Sequence, residues 1–269
     1  MSAHTTFGIG GPADFCIKIA SAAELSVLLP ALDDADIPWF ALGGGANLLV
    51  GDRGFRGIVL DLSGLSWARR DGGRLSAGAG LSVDTLCLQA LADELAGLEN
   101  FYGMPGTLGG ALFMNARCYE KDFCETVESI EIVSPGTGET RTVRPAPSQW
   151  GYKRSPFQPG GEWSGWIVAG ATFALGRGNA EEIAATMRAR RLDRLAKGHY
   201  RLPSAGSMFK NNRDFGKPTG AILDSLGLRG ARVGDAGISP WHANIFVNFG
   251  KASAADMRGY ASWQRATNC

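Results

Sequence analysis

GMPGTLGGALFMN at residues 103–115, with its partner ALGGGANLLV at 41–50, decides how this chain is read. Each stretch sets glycines between an apolar run that reads as a strand and a segment able to open a helix. Backbone N–H groups can then close on a phosphate with no Cβ in the way. Two such loops suggest a long anionic ligand, and a diphosphate fits, because backbone amides and a positive helix end hold it without a nearby lysine. Neither loop is GxxxxGK[ST], and neither is GxGxxG after a first strand, so the P-loop and Rossmann fingerprints both fail. Taken singly, either cluster is more simply a tight turn.

Working outward, the segments between the loops have a βαβ-like rhythm. A Gly/Pro entry leads to a strand at 15–19. Ser21 and Glu24 form a capping box ahead of Leu25, Leu28 and Leu29, in a helix that Pro30 should shorten or kink. Strands at 39–42 and 57–62 flank the first loop. RLSAGAG at 74–80 reads as a strand ending in a small-residue turn, and Ser82 caps the next helix. Val83, Leu86, Cys87 and Ala90 lie on one face of that helix, with Leu88, Leu91 and Leu95 widening the apolar arc, which implies burial against a sheet. The second loop follows, so strand, helix and loop repeat the plan of the first 60 or so residues.

From Val127 the pattern changes. VESIEIVS, the turn PGTGE and TRTV read as a hairpin, and 166–175 as another strand. Asn179 caps a helix with Glu181 and Glu182 in its first turn, and Arg188, Arg190, Arg191, Arg194 and Lys197 load its later turns, as the helix dipole favours. That basic run is either a solvated face or in part a wall facing a phosphorylated substrate. The last third offers strands at 207–210, 231–233 and 244–249 and helices at 218–226 and 253–265, like a small α+β unit. A boundary falls near Gly176 to Gly178.

The 269 residues suffice for one large or two modest domains with a substantial core. Twenty-seven basic against 26 acidic residues give a formal charge of +1, so nothing asks for nucleic acid or an anionic membrane, and a small-molecule ligand is expected. Cys16, Cys87, Cys118, Cys124 and Cys269 form no CxxC pair and no zinc-spaced cluster; most are expected to be buried thiols, and no metal is expected. No basic-then-apolar leader and no apolar run near 18 residues is present, so the cytoplasm is the expected location. His4, His199 and His242 leave little room for a His-based triad.

In order, TTFGIGGPA from Thr5, GGGANLLV from Gly43, GMPGTLGGALFMNA from Gly103, GYKRSPF from Gly151, PSAGSMFKN from Pro203 and HANIFVN from His242 make the chain resemble the UDP-N-acetylenolpyruvoylglucosamine reductase family over nearly its whole length. The resemblance implies an α+β fold: two FAD-binding subdomains of the vanillyl-alcohol-oxidase/PCMH type, residues 1–62 and 63–177, and a C-terminal substrate-binding domain, 178–269. It implies a noncovalent FAD, NADPH as reductant and UDP-N-acetylglucosamine enolpyruvate as substrate, in a monomer. Leu42, Gly43, Gly44, Gly45, Ala46, Asn47 and Leu48 of the first loop would hold the flavin. So would Gly103, Pro105, Gly106, Thr107, Gly109, Gly110 and Asn115 of the second, with Gly78, Ala79 and Ile167 beside them.

The same resemblance gives Ser207 the proton for the substrate carbanion. A serine hydroxyl is a poor acid alone, so it must be oriented and its alkoxide stabilised, for which Lys210 is a candidate. The enolate needs positive charge. The family has an arginine directly after the GY pair, where this chain has Lys153 followed by Arg154; Lys lacks the planar fork, and either residue can fill the role, with Lys153 slightly favoured. Tyr152, Lys210, Asn211 and Asn244 are the substrate-side candidates, and the chain is similar to the shorter type that lacks an extra tyrosine loop. The family's C-terminal Leu-Glu-Pro-Glu-type segment, whose glutamate assists protonation, has no counterpart before Cys269. Truncation at both ends and reduced turnover are therefore expected. Two other readings stay open: a flavin oxidase of the same fold, with Cys118 and Cys124 just past the second loop, and a homologue that binds flavin or nucleotide sugar without catalysis.

Overall fold

A computed structural model describes residues 1–267, the side chains at 213 and 262–267 excepted, so Cys269 lies outside the described residues. The chain forms two compact units. The larger comprises Phe15–Gly44 and Gly57–Arg191, and the smaller Met1–Asp14, Gly45–Arg56 and Leu192–Cys269.

The centre of the larger unit is a five-stranded antiparallel sheet. Its order is Thr140–Val143, Val127–Val133, Ile167–Ala174, Arg74–Gly78, Ala68–Asp71. The hairpin read from the sequence forms with Val133 opposite Thr140, and Gly170 faces Gly78 across the next pair. A second, three-stranded sheet has the order Ala13–Lys18, Phe55–Asp61, Trp39–Leu42, the last two parallel with Trp39 opposite Ile58. Phe101, Phe123 and Phe173, all fully buried, meet edge to face in the core.

Helix α1 (Ala22–Asp34) starts as the sequence indicates: Ser21 Oγ accepts the Glu24 N–H and Glu24 Oε2 accepts the Ala20 N–H. Pro30 does not shorten it. An interior proline costs roughly 3 kcal/mol, but by continuing past Pro30 the helix buries Leu32 beside Leu25 and Leu29, and burying such a side chain contributes about 1.5–3 kcal/mol. Helix α2 (Val83–Ala92) buries Val83, Leu86, Cys87 and Ala90 as expected, with Ser82 Oγ accepting the Thr85 N–H. Its apolar arc is narrower than the sequence suggested. Leu88 is 47% exposed, and Leu95 lies beyond the helix in the short strand Leu95–Ala96, because Glu94 adopts φ +55° and ends the turn. Helix α3 (Leu108–Phe113) opens directly from the second glycine loop. No helix follows the first loop; residues 43–54 form bends and turns until the strand Phe55–Asp61 begins, which corrects the symmetrical expectation. In α4 (Ala180–Ala196), Asn179 Oδ1 accepts the N–H groups of Glu181 and Glu182.

The smaller unit carries a four-stranded antiparallel sheet in the order Ser204–Ser207, Ile245–Asn248, Ala236–Ile238, Arg232–Val233. Helices α5 (Thr219–Ser225) and α6 (Ala254–Thr267) accompany it. Phe7, Ile238, Phe246, Met257 and Tyr260 form its core, and the Tyr260 hydroxyl donates to Ala231 O at 2.9 Å. The strand expected at 207–210 ends at Ser207, since Gly206 at φ +79° makes a bulge and Met208 and Phe209 turn towards Asn244. Ala236–Ile238 was not foreseen as a strand. The early segments Met1–Asp14 and Gly45–Arg56 join residues of the last third through specific bonds. Thr6 Oγ1 donates to Ser204 O at 2.6 Å, and the Asp52 carboxylate accepts the first N–H groups of α6, from Ala254 at 2.7 Å and Ala255 at 2.9 Å. The division into two FAD-binding subdomains, 1–62 and 63–177, and a substrate-binding domain, 178–269, stays a proposal.

Candidate active site

In the larger unit the two glycine loops come together. A Cβ on Gly43 would stand 2.6 Å from Thr107 Oγ1, and one on Gly44 would stand 2.8 Å from Gly106 Cα and 3.2 Å from its carbonyl carbon. Only glycine permits this approach. Thr107 is 7% exposed, and its Oγ1 has no hydrogen-bond partner among the described residues. A buried hydroxyl without a partner costs about 1–3 kcal/mol, so it marks a place where a polar ligand atom fits. The closely packed glycine backbones and this hydroxyl suit a diphosphate-bearing cofactor of the FAD kind.

Other glycines of the expected set have a packing role. The Gly109 N–H donates to Ala79 O at 2.8 Å, and a Cβ there would press on Ala79 Cβ at 3.0 Å. The Gly78 N–H donates to Trp67 O and the Ala79 N–H to Ala169 O. Gly103, at φ +83°, starts the loop's turn and donates to Asp84 Oδ1 at 2.6 Å. Pro105 and Gly110 are exposed, while Leu42 and Ile167 are buried at strand ends. The rest of the first loop belongs to the smaller unit. There Gly45, at φ +60°, faces the His4 carbonyl where a side chain would collide, and its own carbonyl accepts the Thr6 N–H at 3.1 Å. Ala46 and Leu48 are half-buried and Asn47 is exposed.

The second loop also organises GYKRSPF. Asn115, 1% exposed at φ +37°, donates from Nδ2 to Gly151 O at 2.9 Å and accepts the Cys124 N–H at 3.3 Å. Ser155 Oγ and Gln158 Nε2 both donate to Phe113 O, at 2.7 and 2.8 Å, and so cap the end of α3. Between these anchors, Gly151 and Arg154 exchange both backbone hydrogen bonds, with Tyr152 and Lys153 as the two-residue turn. Lys153 sits at φ +56°, an unfavourable region for a side-chain-bearing residue, and Arg154 lays its guanidinium over Gly151. Lys153 is half-buried, whereas Tyr152 and Arg154 are exposed. Asp84, Ser155 and Gln158 were not singled out from the sequence. Only an acidic residue in the first turn of α2 hinted at the first of them.

In the smaller unit, Ser207 ends an edge strand with its side chain exposed. Its setting is rigid. Ser207 is opposite Ile245, the Met208 N–H donates to Asn244 O at 2.8 Å, and the buried Asn244 side chain clasps Phe209, accepting its N–H at 3.0 Å and donating to its carbonyl at 2.8 Å. Asn244 therefore spends its amide on the backbone beside Ser207. Asn211 Oδ1 accepts the Thr219 N–H at the start of α5, and Lys210, whose carbonyl accepts from Thr219 Oγ1, is exposed. His242 Nδ1 accepts the Asn244 N–H at 3.2 Å, and its ring lies 5.7 Å from that of His199. Burial holds both imidazoles below their usual range; for His199 the value falls to about 4, helped by Arg194, His242 and Lys197.

The basic run of α4 is largely engaged with its own chain. In the larger unit Arg190 Nε donates to Asn100 Oδ1 and its guanidinium covers Tyr119, while Arg191 pairs with Asp84 and covers Tyr102. In the smaller unit Arg194 is buried and Lys197 pairs with Asp193 at 2.7 Å, whereas Arg188, in the larger, is exposed. Of the cysteines, Cys87 and Cys118 are buried, Cys124 is half-buried with its thiol pushed up by burial, and Cys16 is exposed against the general expectation. Among the described residues no cluster of His, Cys, Asp and Glu could hold a metal ion, and no helix is long and apolar enough to cross a membrane.

Comparison with known proteins matches residues 13–144 to the FAD binding domain and residues 198–263 to the UDP-N-acetylenolpyruvoylglucosamine reductase C-terminal domain. The UDP-N-acetylenolpyruvoylglucosamine reductase of Treponema denticola is 40% identical over 268 residues, covering 94% of this chain and 82% of that protein. That of Geobacter sulfurreducens is 38% identical over 263 residues, covering 97% and 85%. The crystal structure of UDP-N-acetylenolpyruvylglucosamine reductase from Thermus caldophilus superposes with a TM-score of 0.83 at 32% identity, covering 98% of this chain and 92% of that one.

Proposed function

Because the chain belongs to the UDP-N-acetylenolpyruvoylglucosamine reductase family, we infer that it is an FAD-dependent oxidoreductase that reduces UDP-N-acetylglucosamine enolpyruvate to UDP-N-acetylmuramate for cell-wall precursor synthesis. The observation that carries this reading in the molecule itself is the close approach of Gly43 and Gly44 to Gly106 and Thr107, with the Thr107 hydroxyl buried and without a partner among the described residues. Gly43, Gly44, Gly106 and Thr107 would hold FAD, which would supply the hydride-transfer chemistry that links NADPH to the enolpyruvyl sugar.

The chain's own residues must do the rest. Gly43, Gly44, Gly106 and Thr107 bind and orient the diphosphate, and glycine lets the backbone reach it. Ser207 delivers a proton to the carbon next to the one that receives hydride, which completes the addition of two electrons and two hydrogens. Asn244 holds the strand end that carries the hydroxyl, so little reorganisation is needed when the proton moves. Lys153 or Arg154 supplies positive charge to the enolate before the proton arrives. The positive φ at Lys153 favours it for this role, since backbone strain that the flanking anchors sustain is a common mark of a positioned functional group. Tyr152, Lys210 and Asn211 are assigned to the nucleotide-sugar side. The protein works in the cytoplasm as a monomer on this reading.

The test is an anaerobic pair of half-reactions. NADPH should bleach the visible flavin band, and the enolpyruvyl UDP-sugar should then restore it. In Ser207→Ala the bleaching should be unchanged, and the return should slow by about 10²–10⁴, the usual worth of a general acid. Bleaching without any sugar-dependent return in the unmodified protein would overturn the assignment of substrate, and a protein that binds no flavin would overturn the whole reading.

A further inference from the structure

The start of α2 is sewn to the cofactor loop by three hydrogen bonds. The Leu108 N–H donates to Leu81 O at 2.9 Å and the Val83 N–H donates to Gly106 O at 3.1 Å, the pair of bonds that makes the Ser82–Thr107 β-bridge. Those two are backbone links. The third comes from a side chain: Asp84 Oδ1 accepts the Gly103 N–H at 2.6 Å, at the point where Gly103 enters the left-handed region and the loop turns towards Gly106. The other carboxylate oxygen faces Arg191 at 3.6 Å, in a pair whose side chains are 46% and 37% exposed. An exposed pair at that distance contributes little, whereas a short hydrogen bond from a backbone N–H to an ionised carboxylate is among the stronger kinds.

We propose that Asp84 is a positioning residue for the cofactor: its carboxylate fixes the Gly103 turn, and through it the placement of Gly106 and Thr107 against Gly43 and Gly44. The proposal rests on the flavoenzyme reading. The Asp84 carboxylate bonds Gly103 and Arg191 rather than Gly43, Gly44, Gly106 or Thr107, so its effect must pass through the loop. Gly103 needs a fixed direction because a positive-φ glycine has many alternative conformations, and an anchored N–H removes most of them.

The test uses the full-length protein and measures the FAD dissociation constant by flavin fluorescence, with far-UV circular dichroism and thermal melting as checks on folding. Asp84→Ala should weaken FAD binding by at least about 10-fold, the lower range for losing a hydrogen bond to a charged group. Asp84→Asn keeps an acceptor without the charge and should fall between, at about 3- to 10-fold. Ser82→Ala is the control: it removes the cap of the same helix and lowers the melting temperature, but leaves Gly103 anchored and FAD affinity within about twofold. Unchanged affinity in Asp84→Ala would overturn the proposal, and so would a Ser82→Ala loss equal to that of Asp84→Ala. If Asp84→Ala does not fold, wild-type affinity in Asp84→Asn overturns it alone. A parent protein with no measurable FAD affinity would sink the flavoenzyme reading itself, a separate result read before any variant.

Discussion

Thr107→Val separates stability from cofactor binding, because the two should move in opposite directions. The hydroxyl is buried and lacks a partner among the described residues, so in the flavin-free protein it costs about 1–3 kcal/mol of desolvation. Valine has nearly the same shape and removes that cost. A gain of about 1 kcal/mol should raise the melting temperature of the flavin-free form by roughly 2–4 °C for a chain of this size. With FAD the sign reverses. A hydrogen bond to a charged phosphate oxygen is worth about 1.5–3 kcal/mol, so its loss should weaken FAD binding at least about 10-fold. Ligand stabilisation follows RT ln(1 + [L]/Kd), and a tenfold weaker Kd removes about 1.4 kcal/mol of it at saturating FAD. Differential scanning calorimetry with and without excess FAD measures both. A variant that binds FAD as the parent does would refute the assignment of this hydroxyl to the cofactor, and one less stable without flavin would refute the burial argument.

Two further outcomes follow from the same geometry. Gly44→Ala places a methyl against Gly106 backbone atoms that cannot rotate away, so it should cost about 1–3 kcal/mol of stability and impair FAD uptake. Gly51→Ala, with open space around its Cβ position and an ordinary φ, should stay within about 0.5 kcal/mol in the same melts. For His199 the folded-state value near 4 lies below that of the unfolded chain, so the unfolded state binds the extra proton. Its contribution is complete above about pH 6.5 and is lost as pH falls towards 4, by about 1–2 kcal/mol once partial exposure is allowed for. His199→Gln should flatten the stability profile across that window; an identical slope in the variant would show that other groups carry it.

Much of the fold was legible in local signals. Ser21, Ser82 and Asn179 cap the helices they precede, and the VESIEIVS and TRTV strands pair as their alternation implies. The misreadings share a cause: a local rule met a distant partner. Pro30 is tolerated because three leucines are buried around it, and Ala236–Ile238 is a strand because Ile245–Asn248 and Arg232–Val233 lie on its two sides, not because of its own short AGI sequence. At the site, the glycine loops were readable because glycine is demanded by close approach. Asn244 illustrates the opposite case. An amide in a functional motif invites a ligand contact, yet here it holds the backbone beside Ser207, and only the partner's position distinguishes the two uses.

The bond from Asp52 to the start of α6 spans 202 residues. During synthesis at roughly 5–20 residues per second, Asp52 is made about 10–40 s before Ala254. The residues of the larger unit end at Arg191 and are all made within that interval, while Met1–Asp14 and Gly45–Arg56 wait for their companions. Phe7 and Ile9, destined for the core of the smaller unit, stay uncovered meanwhile. A nascent chain stalled with Arg191 just clear of the ribosomal exit tunnel should therefore present a protease-resistant body with a cleavable head and an accessible 45–56 loop, and chaperones should favour that early head over any segment of the finished body.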